Sequence, residues 1–225
     1  MKALLIGSIG TLSDTSELQR EAFNAAFAQA GLDWHWDRAS YRAMLAMSGG
    51  RERIERHAAL RGAPVDSAAL HEAKSVIFRD FLDWGRAQAR PGIIALIDAV
   101  AAAGLPVALI ATTAPENVDH LLAGLGMTRG DFSLVVDRSD VAAAKPAPDC
   151  YHLACARLAL APECCLAVED NPDGVRAARG AGTRVLAWPN ANTAGLDFGD
   201  APVVRDADIR AAALEALGLE AIPAK

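Results

Sequence analysis

From Arg90 onward, short apolar runs alternate with helical stretches, and no other pattern in the chain restricts its fold so strongly. Residues 107–111, 134–136, 166–168, 185–187 and 203–204 are apolar and largely β-branched, which reads as strands. Between them, Ile93, Leu96, Ile97 and Val100 recur at helical spacing up to Gly104. Tyr151, Ala154 and Leu158 do the same, a small-residue stretch spans 174–182, and a last helix runs to about residue 217. Strands and helices in this alternation build a parallel sheet covered on both faces.

Residues 3–6 form a further apolar run that breaks into a loop at Gly7 and Gly10, the pattern of a first, fully buried parallel strand. Ligands of such sheets bind beyond the carboxyl ends of the strands, which puts a site at this loop. The chain then becomes helical. Phe23, Phe27 and Ala30 mark one helix stopped by Gly31, and Leu70, Ala73, Ile77, Phe81 and Trp84 mark a longer one. Between them Ser48-Gly49-Gly50 interrupts the pattern, and a new helix opens at about Arg51. The expectation is an α/β fold: a doubly wound, Rossmann-like parallel-sheet core formed by 1–15 and 90–225, with an all-helical cap, 16–89, inserted over the sheet's carboxyl edge. Trp34-His35-Trp36 reads either as cap packing or as an aromatic surface facing a ligand.

A net charge of -6 argues against a nucleic-acid surface. No apolar run reaches the roughly 20 residues that span a bilayer, and the N-terminal apolar stretch, broken by two glycines, does not read as a signal peptide. Cys150, Cys155, Cys164 and Cys165 fall in no metal-ligand spacing and read as reduced thiols in a cytoplasmic setting.

Three strand ends carry polar groups: Thr112, Lys145 after a connecting segment, and Glu169-Asp170. Singly, each has a plain explanation as a helix cap, a solvated lysine or turn chemistry. Together at one sheet edge, a hydroxyl, an ammonium and two carboxylates suit a phosphate with a divalent cation. Gly49-Gly50-Arg51 reads either as a tight turn between cap helices or as a helix start holding a distal phosphate. A dinucleotide loop is a poor fit to Gly7-Ser8-Ile9-Gly10, because the Gly-x-Gly-x-x-Gly spacing is not met.

Gly10-Thr11-Leu12, Thr112-Thr113, Lys145-Pro146-Ala147-Pro148-Asp149 and Val168-Glu169-Asp170-Asn171-xx-Gly174-xx-Ala177-Ala178-xx-Ala181-Gly182 together resemble the haloacid dehalogenase (HAD) superfamily. The similarity is to its sugar-phosphate phosphatase branch, which includes β-phosphoglucomutase and xylulose bisphosphate phosphatase. Glu21-Ala22-Phe23-Asn24 and Gly49-Gly50-Arg51-Glu52-Arg53 resemble its cap signatures. The resemblance implies Mg²⁺-dependent phosphoryl transfer opened by Asp-x-Asp-Gly-Thr: the first Asp attacks phosphorus and ligates the metal, and the second protonates the leaving oxygen. Here those positions are Gly7 and Ile9, and Ser16 and Gln19 replace a Glu and a His. Losing an activated nucleophile costs up to about a million-fold in rate, and losing acid–base help about 10²–10⁴-fold. Neighbouring Ser8 is expected to point away by strand alternation, and Asp14 to cap the following helix.

The expectation is therefore a catalytically inactive relative with a retained phosphate or phosphosugar pocket. Thr112, Thr113 and Lys145 would hold phosphate, Gly49, Gly50 and Arg51 the substrate's far end, and Glu169 and Asp170 a weakened Mg²⁺ site. The alternatives are an Mg²⁺-dependent phosphohydrolase working by an atypical route, and a structural protein that binds a protein partner.

Overall fold

The computed structural model describes residues 1–45 and 49–219; Ser48, in the expected cap turn, lies outside them. Strands β1 (Ala3–Gly7), β2 (Val107–Ile110), β3 (Leu134–Val136), β4 (Cys165–Glu169) and β5 (Arg184–Ala187) form one parallel sheet in the order β3-β2-β1-β4-β5. β1 is central, with Leu4 opposite Val107 on one side and Leu166 on the other. The order reverses on either side of β1, so the crevice of a doubly wound sheet opens at its carboxyl end.

Strand alternation divides the core into two layers. Leu4, Ile6, Leu109, Leu166, Val168 and Leu186 face one side, packing with helices α6 (Ile93–Ala102), α7 (Pro115–Gly124) and α10 (Ile209–Leu217). Leu5 and the small Ala3, Ala108, Ala167 and Ala187 face the other, under α8 (Asp149–Arg157) and α9 (Pro172–Gly180). Alanines on the sheet and Ala177 and Ala178 on α9 let backbones approach closely, which accounts for the alanine richness of this layer. Val203-Val204 does not form the expected sixth strand. Only one bridge joins Ala187 to Val203, because Pro202 has no N–H to extend the ladder and Val203 is exposed.

Between β1 and β2 lie a one-turn helix, α1 (Ile9–Leu12), and the insert helices α2 (Ser16–Gln29), α3 (Arg38–Met44), α4 (Gly50–Arg61) and α5 (Ser67–Asp83). The insert has its own aromatic centre of Phe23, Phe27, Trp34, Trp36 and Tyr41. Trp34 and Trp36 are buried within it and His35 is exposed, so this tripeptide is cap packing. Among the described residues, no helix is long and apolar enough to cross a membrane.

Candidate functional site

At the end of β1 the chain turns sharply. Ser8 takes a left-handed φ of 61°, a conformation uncommon for a residue with a Cβ. This turn resets the alternation of the strand, so the expectation that Ser8 faces away is corrected: its hydroxyl donates to Asp170 Oδ1 at 2.6 Å and accepts from the Gly10 N–H at 3.0 Å. Asp14 accepts from the Ser16 N–H at the start of α2, as a helix-start residue does, and from Asn192 at 3.2 Å.

Asp170 sits in a cage of neutral donors. Besides Ser8, Asn171 reaches Oδ1 at 3.1 Å, Thr11 at 3.4 Å, and Asn190 reaches Oδ2 at 3.2 Å. Thr193 donates to the Asp170 carbonyl at 2.7 Å. Glu169, by contrast, points into the protein and is wholly buried. Its Oε1 accepts from Lys145 Nζ and from the Tyr151 hydroxyl, both at 2.6 Å, while Oε2 has no partner. Lys145 also donates to the Ile110 carbonyl at 2.8 Å, which ties it to the end of β2 just before the half-buried Thr112 and Thr113. Burial pushes the Glu169 carboxyl above its ordinary pKa, against the lowering pull of Lys145, and burial together with Glu169 pushes the Tyr151 phenol well up.

Glycines make room for these carboxylates. A Cβ on Gly7 would fall 2.2 Å from Glu169 Cδ and 2.5 Å from the Tyr151 hydroxyl, and one on Gly174 would fall 2.1 Å from Glu169 Cδ. One on Gly10 would lie 2.3 Å from Asp170 Oδ2. Glu169 therefore occupies the space a side chain at position 7 would take. This donor set does not fit Mg²⁺ as it stands: Glu169 is turned to Lys145, and both oxygens of Asp170 already accept hydrogen bonds.

Above Asp170 a cavity of about 150 Å³ opens between core and insert. Ser8, Ile9 and Asn171 line its floor, and Gln19, Tyr41 and Arg53 its cap side. Arg53 bonds the Met44 carbonyl at 3.2 Å and lies 5.8 Å from the Tyr41 ring. Gly49 and Gly50 form the start of α4, while Arg51 is turned outward and pairs with Glu55 at 3.0 Å.

Sequence reasoning missed Tyr151, Asn190, Thr193 and Lys74. For Lys74 a signal exists: it stands between Leu70 and Phe78 at helical spacing, on an apolar stripe. Lys74 is buried, lies 5.0 and 4.8 Å from the rings of Phe23 and Phe78, and donates a short hydrogen bond to Gln19 on the cavity wall. Burial, aided by the charges of Arg53 and Arg79, pushes its pKa from 10.5 down to about 7. Between those values the unfolded chain holds a proton that the folded one lacks, so Lys74 makes stability rise with pH across that window. Lys74→Met is expected to flatten the rise and to stabilise most below about pH 7. Urea unfolding at about pH 6.5 and about pH 9 reads it; an unchanged pH slope in the variant would contradict the assignment.

The sequence model of the haloacid dehalogenase-like hydrolase family matches residues 1–182. Protein CbbY of Rhodobacter capsulatus is 41% identical over 222 residues, covering 96% of this chain and 97% of that protein. Protein CbbY of Cereibacter sphaeroides is 39% identical over 226 residues, covering 98% of each. Among solved structures, a mutant CbbY from Rhodobacter sphaeroides in complex with xylulose-(1,5)bisphosphate superposes with a TM-score of 0.83 at 39% identity, covering 91% of this chain and 93% of that one. With the sheet order, the inserted helices and the site at the end of β1, these matches agree: the chain belongs to the haloacid dehalogenase-like hydrolase family.

Proposed function

We propose that this chain binds a phosphorylated sugar between the end of β1 and the insert, and does not transfer its phosphoryl group by the aspartyl route of its relatives. One observation carries the reading. Position 7 has no side chain, and the Glu169 carboxylate fills the volume beside it, so neither the aspartyl nucleophile of the relatives nor room for one exists at that position. Ile9 has no proton to give a leaving oxygen.

The ligand class comes from the relatives, since CbbY structures hold xylulose bisphosphate and phosphate. In this reading Thr112, Thr113 and Lys145 take one phosphate, which shares the lysine with Glu169. Gly49 and Gly50 offer the N–H groups at the start of α4 to the far end of the ligand. There Arg53, facing the cavity, supplies the charge in place of Arg51. The carboxylate nearest this phosphate, Glu169, is paired with Lys145 at 2.6 Å, so in this reading the shared ammonium offsets the like-charge repulsion and binding needs no bridging Mg²⁺. Isothermal titration with inorganic phosphate and with xylulose bisphosphate, each with and without EDTA, is expected to give the same affinity in both conditions. Loss of all binding in EDTA would rule this out.

A second reading has one specific observation in its favour. Ser8, held in a strained backbone conformation with its hydroxyl on Asp170, is arranged as a hydroxyl beside a base. Turnover of a sugar phosphate by the wild type, abolished in both Ser8→Ala and Asp170→Ala, would favour an atypical phosphohydrolase over a silent binder.

A further inference from the structure

Helix α8 and strand β4 are joined at two points that lie on one line. At one, the Tyr151 hydroxyl meets Glu169 at 2.6 Å; at the other, the sulfurs of Cys155 and Cys165 lie 3.9 Å apart. Cys155 follows Tyr151 by four residues, which keeps both on one helix face, and Cys165 precedes Glu169 by four, which keeps both on one strand face. The two contacts are thus successive rungs between the same pair of elements. All four side chains are buried, and all four cysteines of the chain are free thiols.

We propose that Cys155 and Cys165 are a reversible dithiol–disulfide site that reacts with a small, uncharged peroxide. Closing the sulfurs from 3.9 Å to a bond of about 2.05 Å takes an approach of under 2 Å, which rotation of the two side chains and a shift of α8 would supply. Burial of both sulfurs excludes bulky oxidants and selects one the size of hydrogen peroxide. The sulfur–sulfur hydrogen bond holds the Cys155 thiol below its ordinary pKa despite burial, which favours attack by this sulfur, since the thiolate is the nucleophile. The Cys155 thiolate attacks one peroxide oxygen, the O–O bond breaks, and the departing hydroxide takes up the thiol proton as water. Cys165 sulfur then attacks the resulting sulfenic acid, an S–S bond forms, and the S–OH oxygen leaves with the second thiol proton as another water. Two electrons pass from the two thiols to one peroxide.

The product closes a short loop and pins α8 to β4 beside the Tyr151–Glu169–Lys145 contacts. Constraining the unfolded chain in this way is expected to raise the thermal midpoint by roughly 5 °C or more. It does not depend on what fills the cavity.

The test treats the full chain with hydrogen peroxide and then quenches it. Expected are an intact mass lower by two hydrogen atoms, a fall from four to two titratable thiols, a peptide map joining Cys155 to Cys165, and a raised midpoint reversed by dithiothreitol. Cys155→Ser and Cys165→Ser should each abolish the mass change and the shift, with alanine replacing serine should either variant fail to fold. Cys164→Ser should keep both. A linkage mapped to Cys164 or Cys150, a gain of oxygen without a disulfide, or a midpoint that does not rise would overturn the proposal.

Discussion

The double variant Gly7→Asp/Ile9→Asp is expected to hydrolyse a sugar phosphate in Mg²⁺ at least about a hundredfold faster than the wild type. It is also expected to be less stable than the wild type when metal is removed. Both effects follow from the space at the end of β1. A Cβ on Gly7 would sit 2.2 Å from Glu169 Cδ, so the new carboxylate must displace Glu169 from its buried position. Lys145 can then pair with the newcomer, and Glu169 is driven out toward Asp170. With the two introduced acids, Glu169 and Asp170, four carboxylates lie in one small volume and repel one another until a divalent cation joins them. The variant should therefore gain several degrees of thermal stability on adding Mg²⁺ at about a hundred times its Kd, whereas the wild type should respond weakly. Phosphate release and thermal unfolding, each with Mg²⁺ and with EDTA, separate the outcomes. A variant that folds but shows neither turnover nor a metal-dependent midpoint would mean that more than the two acids is missing from this scaffold.

The sheet and the position of its site are legible from sequence because period and length identify buried strands and a doubly wound order fixes where ligands bind. The motif at residues 168–182 reads through directly: Asn171 caps α9 by accepting from the Gly174 N–H at 2.9 Å, and Gly174 leaves room for Glu169. What sequence does not disclose is side-chain direction at places where regular structure breaks. Ser8 lies one residue past a strand, where a left-handed φ cancels the alternation. Arg51 and Arg53 are two residues apart on α4, hence roughly 200° apart around its axis, and only structure decides which faces the cavity. The inward turn of Glu169 uses the space beside Gly7 and the donors Lys145 and Tyr151. A glycine at position 7 says that a group is gone, but not which neighbour fills the gap.

Lys145→Met is expected to cost about 3–5 kcal/mol of stability, lowering the thermal midpoint by about 10 °C. Glu169 is wholly buried, and among the described residues Lys145 supplies the only positive charge in its hydrogen-bond partners. Removing the ammonium leaves a carboxylate with Tyr151 as its one remaining donor and an Oε2 that already has no partner. Burial raises this carboxyl's pKa even with the lysine present, and without the lysine it must rise further. An acid whose folded pKa exceeds its unfolded one loses stability as pH increases between the two values. The deficit of the variant should accordingly shrink toward acid pH, where Glu169 is protonated in both states. Lys145→Met/Glu169→Gln removes both charges and should recover most of the loss, so a double-mutant cycle of urea unfolding will show strong coupling. A Lys145→Met deficit below about 1 kcal/mol, independent of pH, would mean that water already solvates the pair. The same cycle bears on ligand binding. A tightly coupled pair yields its lysine to a phosphate dianion only at the expense of Glu169, so Glu169→Gln should tighten phosphate binding by freeing Lys145, while Lys145→Met should weaken it.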